Sequence, residues 1–137
     1  MIEKKPIVAD RVRQISGSFA FIEHRFLRNG FWAALSHHEL LLYLLLVLVG
    51  DRRGLSYYSF DKICSLLAIS CDDYIVARNS LIDKDLIAFD GLLFQVLSLP
   101  QQPVLPVNRS LQGEADMKAW DPATISRILD RARGENR

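Results

Sequence analysis

Ser59-Phe60-Asp61-Lys62-Ile63-Cys64-Ser65-Leu66-Leu67, with the thirty or so residues that follow, decides the fold. Phe60, Ile63, Cys64 and Leu67 fall at i, i+3, i+4 and i+7, the single apolar stripe of an amphipathic helix. Ala68-Ile69-Ser70 makes a turn. Ser70 then caps a second helix whose first turn holds Asp72 and Asp73, where the helix dipole favours negative charge. That helix is expected to run to about Asp85. Leu86-Ile87-Ala88-Phe89 reads as a strand, Asp90-Gly91 as a type I′ turn with two positive-φ residues, and Leu92 to Leu97 as the returning strand.

Upstream, Ser36-His37-His38-Glu39 matches a capping box, in which the serine takes the third helical amide and the glutamate reaches back. The helix it opens, to about Val49, is apolar nearly all round, which makes it central to a core or shared with another subunit. Gly50 to Gly54 ends it. Leu55-Ser56-Tyr57-Tyr58 is β-prone and adds a third strand beside the hairpin. Residues 1 to 16 read as an irregular arm or weak helix, Ser18 to Ile22 as a short strand, and Glu23 to Arg28 as a helical turn stopped by Asn29-Gly30. Phe31, Trp32 and Leu35 are expected to seat this segment on the domain. Downstream, Pro100, Pro103 and Pro106 mark an extended linker. Asp121-Pro122 then opens a last helix, with Ile125, Ile128, Leu129 and Ala132 on one stripe and Gly134 at its end. The expected units are an arm and packing segment (1–34), a central domain (35–100), a linker (101–120) and a C-terminal helix (121–137).

The chain has 137 residues, half of them apolar and 24% charged, as in an ordinary soluble domain with extensions. A formal net charge of +1 puts no strong field over the whole molecule. Cys64 and Cys71 fit neither a disulfide framework nor a zinc site, which points to a reducing cytoplasm. Leu40 to Val49 is apolar throughout but about half the length needed to span a bilayer, so no membrane partner is expected.

The stretch from Leu35 to Pro100 resembles the winged helix-turn-helix superfamily, and more loosely the winged-helix domains of plasmid replication initiators and mobile-element proteins. The order of parts carries the likeness: Leu35-Ser36 to Glu39 opening an apolar helix, Asp61-Lys62-Ile63 opening the next, and Leu81-Ile82-Asp83-Lys84-Asp85-Leu86-Ile87 running into the wing. The wider family usually has glycine where this chain has Asp85, so that residue must take the helix-to-strand turn without glycine's freedom. The resemblance implies an α+β fold, mainly α with a small β-sheet, and binding of double-stranded DNA through the second helix of the pair and the hairpin tip. It implies a transcriptional regulator or a replication or mobile-element accessory factor.

A helical wheel of Cys71 to Asp85 turns Tyr74, Ile75, Leu81 and Ile82 inward and Asp72, Asp73, Val76, Asn79, Ser80, Asp83 and Lys84 outward. Residues 55 to 103 hold three bases and six acids, a local charge of −3, whereas residues 1 to 54 hold eight bases and five acids, +3. Phosphate neutralisation dominates DNA affinity, so a self-sufficient monomeric binder is not expected; arms and dimers supply the missing charge. Expected direct contacts are Lys62, Asn79, Ser80 and Lys84, with Arg11, Arg13, Arg52 and Arg53 as backbone charge. A homodimer is expected, through helix 36–49 or the N-terminal segment. The alternative is a module that docks other proteins and binds no DNA. Arg78 falls on the apolar side, where an ion pair with Asp61 or Asp85 is expected. His37-His38-Glu39 is explained by capping better than by metal binding, and Cys71 by structure better than by redox chemistry. With no nucleophile–base pair, phosphate loop or metal-ligand spacing, neither enzymatic activity nor a cofactor is expected.

Overall fold

Three serines start the three principal helices. A computed structural model of the chain describes residues 3–104. In it Ser36 Oγ accepts from the Glu39 amide while the Ser36 amide donates to Glu39 Oε2 at 3.1 Å, closing the capping box of α2 (His37–Val49). Ser59 Oγ accepts from the Lys62 amide at the head of α3 (Phe60–Leu67), and Ser70 Oγ from the Asp73 amide at the head of α4 (Cys71–Asp83). Each such cap is worth about 1 kcal/mol. A single turn, α1 (Arg25–Arg28), precedes them and is stopped by Gly30 at φ +90°.

The chain is α+β. Strands β1 (Leu55–Tyr57), β2 (Ile87–Phe89) and β3 (Leu93–Val96) form one antiparallel sheet in the order β1-β3-β2. Register pairs Ser56 with Phe94 on one side of β3 and Phe89 with Phe94 on the other. The core lies between sheet and helices: Leu42, Tyr43 and Leu46 from α2, Ile63 from α3, Tyr74, Ile75 and Leu81 from α4, and Ile87 and Phe94 from the sheet. Phe26 stacks on Tyr43 with ring centroids 4.9 Å apart, and Arg25 donates to the carbonyls of Leu99 and Pro100 at 2.7 Å, so α1 is tied to both α2 and the segment after β3.

Both helices of the pair end in the same way. Leu86 N–H donates to Leu81 O and Asp85 N–H to Ile82 O after α4; Ile69 N–H donates to Cys64 O and Ala68 N–H to Ser65 O after α3. These are Schellman motifs, which place one residue in the left-handed region, here Asp85 (φ 61°) and Ala68 (φ 54°) rather than the usual glycine. Gly54, at φ +79°, is different in kind: a Cβ there would lie 2.6 Å from the Val96 carbonyl oxygen of β3.

Four expectations need correction. Ser18 to Ile22 is not a strand; it is exposed and pairs with nothing in the sheet. Helix α4 stops at Asp83, because Asp85 has already left helical φ. The hairpin turn is not type I′, since Gly91 alone has positive φ there; the Asp90 carboxylate accepts from the Leu92 and Leu93 amides and shapes the turn as an Asx turn. Trp32 is exposed, although its neighbours Phe31 and Leu35 are buried. Among the described residues no helix is long and apolar enough to cross a membrane. The expected C-terminal helix and residues 105–120 of the linker lie outside the described residues.

Candidate functional site

The outward side of a helix pair is where contacts to a partner would be sought, and α4 does not present the side expected of it. Ser80 Oγ donates to Glu39 Oε1 at 2.7 Å, and Lys84 Nζ donates to the same oxygen and to the Ala34 carbonyl at 2.7 Å. Both side chains are therefore spent on α2. Asn79 Oδ1 accepts from Nε and Nη2 of Arg78 at 3.2 and 3.1 Å. Three of the four expected direct contacts are thus engaged within the fold.

Glu39 is the hub. It is buried at the start of α2 and caps that helix while holding Ser80 and Lys84. Burial alone would raise its pKa, but hydrogen bonds from Lys84, Ser36 and Ser80 prevail and hold it below the ordinary 4.5. The sequence carried a signal for this second task. Glu39, Leu42, Tyr43 and Leu46 lie at i, i+3, i+4 and i+7, so the carboxylate heads the buried stripe and has to find donors on whatever packs there.

Arg78 is 1% exposed. Its guanidinium carbon lies 5.4 Å from the Tyr74 ring centroid and 5.2 Å from that of Phe89, which stacks on Phe94 at 4.2 Å. This stack fastens α4 to the β2–β3 hairpin. The buried guanidinium is held within the fold by two ring faces and by Asn79, neither of which is the ion pair with Asp61 or Asp85 that the sequence suggested.

The remaining expected bases are exposed but not together. Lys62 sits on α3 with its ammonium 4.9 Å over the Tyr58 ring. Arg52 and Arg53 occupy the turn before β1, which Asp51 shapes by accepting the Arg53 and Leu55 amides. Leu55 pairs with Gln95 and Tyr57 with Leu93, so that turn lies at the end of β1 away from the hairpin tip at Gly91, while Lys62 follows the strand's other end. Arg11 and Arg13 lie on the arm, where every described residue before Arg25 is exposed and a 3-10 turn, Ala9–Arg11, is the one regular element. On the pair itself the exposed side chains include Asp61, Asp72, Asp73 and Val76, an acidic surface.

A second feature is apolar. Leu41, Leu44 and Leu48 line the side of α2 turned away from Leu42 and Leu46, with Leu45 at its edge, half-buried against the core, and Leu44 borders an open groove of about 390 Å³ walled by Ile22, Phe26, Leu27 and Trp32. Cys64 and Cys71 form no disulfide, and Cys64 is pushed up to about 11 by burial, with Cys71 and Asp61 adding to the shift. Among the described residues no three His, Cys, Asp or Glu side chains converge as metal ligands. Set against known protein families, curated proteins and solved structures, the chain matches none.

Proposed function

We propose that the chain binds double-stranded DNA as a winged helix-turn-helix module whose phosphate contacts come from its N-terminal arm and Lys62, not from Ser80 and Lys84. The supporting observation is the geometry of the helix pair. A three-residue turn through Ala68 joins α3 to α4, the three strands form one β1-β3-β2 sheet, and the first turns of α4 keep one side, Asp72, Asp73 and Val76, exposed. Asp72 and Asp73 on that exposed surface oppose phosphates, so positive charge has to come from elsewhere. Lys4, Lys5, Arg11 and Arg13 put four exposed bases on the unpacked arm, and arms of this kind reach the backbone or a groove beside a helix already docked. The role extends to transcriptional regulation or to replication or mobile-element accessory work, and two cysteines outside any disulfide suit a cytoplasmic setting.

Such a binder is salt-steep. Four phosphates neutralised by the arm give a slope of about −3.6 in log affinity against log salt, at about −0.9 per phosphate. Fluorescence anisotropy of a labelled duplex measures this. Substituting R11E/R13E should flatten the slope by about 2, whereas S80A should leave it unchanged. Absence of saturable binding at low salt refutes the proposal. The alternative, docking onto protein without DNA, is favoured by the acidic exposed side of the helix pair, Asp61, Asp72 and Asp73, and by exposed Tyr57.

A further inference from the structure

We infer that the outer side of α2 is covered by a second copy of this chain, packed antiparallel about Leu44 and Leu45, with the N-terminal arm of each copy crossing onto the other. The inference goes beyond DNA binding: from the arm it takes the apolar residues, whereas the DNA reading takes Lys4, Lys5, Arg11 and Arg13.

Helix α2 has two apolar sides and its own domain uses one. Leu42 and Leu46 are fully buried, whereas Leu48 is 71% exposed and Leu41 43%. The exposed side continues across Leu27, 65% exposed, and Trp32 to the groove that Ile22 and Phe26 also wall. A helix apolar all round is buried on both sides in the assembly that functions.

The arm has the same imbalance. Ile7, Val8, Val12, Ile15, Phe19 and Phe21 are each more than half exposed, and nothing in the described domain covers them. Leu27, Trp32, Leu41 and Leu48 alone fall short of the roughly 800 Å² per partner that a standard interface buries. Adding the arm brings the exposed apolar surface to the order of 1,000 Å², which reaches it. The area therefore calls for both parts.

The pattern favours a copy over a partner of other sequence. Leu41, Leu44, Leu45 and Leu48 are arranged symmetrically about the middle of the stripe. A two-fold axis there sets Leu41 against Leu48 of the second copy and Leu48 against its Leu41, and likewise Leu44 against its Leu45 and Leu45 against its Leu44. Antiparallel helices also align their dipoles favourably. No charged residue interrupts positions 40 to 49, so the stripe offers no charge pattern for a different partner to match.

Sedimentation of the full chain from micromolar to hundred-micromolar concentration tests this without DNA, so its failure leaves DNA binding unaffected. The expected species has twice the chain mass. L41E/L48E and L41K/L48K, both at exposed positions, should each weaken self-association by more than about a hundredfold. Mixing the two variants should restore a dimer, because each glutamate then meets a lysine across the axis; variants that merely misfold would not recover. A chain monomeric throughout, a dimer indifferent to the substitutions, or variants that stay apart on mixing would each overturn the inference. If the wild type is monomeric, acrylamide quenching of Trp32 in a W120F background separates an open surface from one covered by the chain's own residues 121–137.

Discussion

Removing the Glu39 carboxylate should unfasten α4 from α2. In E39A three donors lose their acceptor at once: the Ser36 amide, the Ser80 hydroxyl and the Lys84 ammonium. The cap is worth about 1 kcal/mol. Losing one partner of a buried ion pair costs about 3–5 kcal/mol, and both side chains here are nearly buried, at 13% exposed for Lys84 and 10% for Glu39. Lys84 keeps the Ala34 carbonyl, which cuts the ion-pair share to about 2 kcal/mol and makes the total, with the cap, about 3 kcal/mol. At about 4–8 °C per kcal/mol for a domain of this size, the melting midpoint should fall by roughly 12–24 °C. E39Q keeps a capping side chain and an acceptor for Ser80 and loses only charge, so it should cost about 1–2 kcal/mol. The acid limb adds a sign. Glu39 titrates lower in the folded chain than its ordinary 4.5, so its contribution is present above that pH and lost as pH falls through the folded value. The gap between wild type and E39Q should therefore close on acidification. Thermal melts by circular dichroism at neutral pH and in acid measure both effects. An E39A midpoint within a degree or two of wild type would refute the hub, and a gap that widens in acid would refute the sign.

Other substitutions probe the remaining joints. Ala68 holds a left-handed conformation that costs a side-chain-bearing residue about 1–2 kcal/mol, so A68G should raise stability by up to about 1 kcal/mol in urea melts once glycine's entropy is subtracted. G54A should destabilise by about 2–3 kcal/mol, since the new methyl meets the β3 backbone at a φ that already disfavours it. R78M keeps the bulk but gives up two ring contacts and the bond to Asn79; a loss of about 2 kcal/mol is expected, again from urea melts. Ser56 Oγ is buried without a hydrogen-bond partner, so S56A should be neutral or stabilising by up to about 1 kcal/mol.

Local chemistry made much of this fold legible in the chain itself. Ser36 and Ser70 announce their helices because a serine before a periodic apolar run satisfies orphan amides whatever surrounds it. The third strand was readable from β-prone Leu55 to Tyr57 for the same reason. What failed depended on a partner remote in sequence. Ser18 to Ile22 has a strand-like pattern, but no edge lies beside it, and an unpaired strand does not persist. The hairpin turn looked like type I′ because Asp-Gly favours it, yet the Asp90 carboxylate captured two amides and took another shape. A wheel sends Ser80 and Lys84 outward because they lie opposite Tyr74, Ile75, Leu81 and Ile82. It knows nothing of a carboxylate buried forty residues upstream, and Glu39 reverses their side. The apolar excess of α2 was visible at once; that it divides into two stripes, one of them uncovered, required the packing.

Amide chemical-shift mapping by NMR with a short duplex tests most directly which residues meet DNA. Shifts gathered on residues 4–13, Lys62 and the first turns of α4, with Ser80 and Lys84 unmoved, are the predicted result. Shifts confined to residues 79–84, or none at all at low salt, would contradict it.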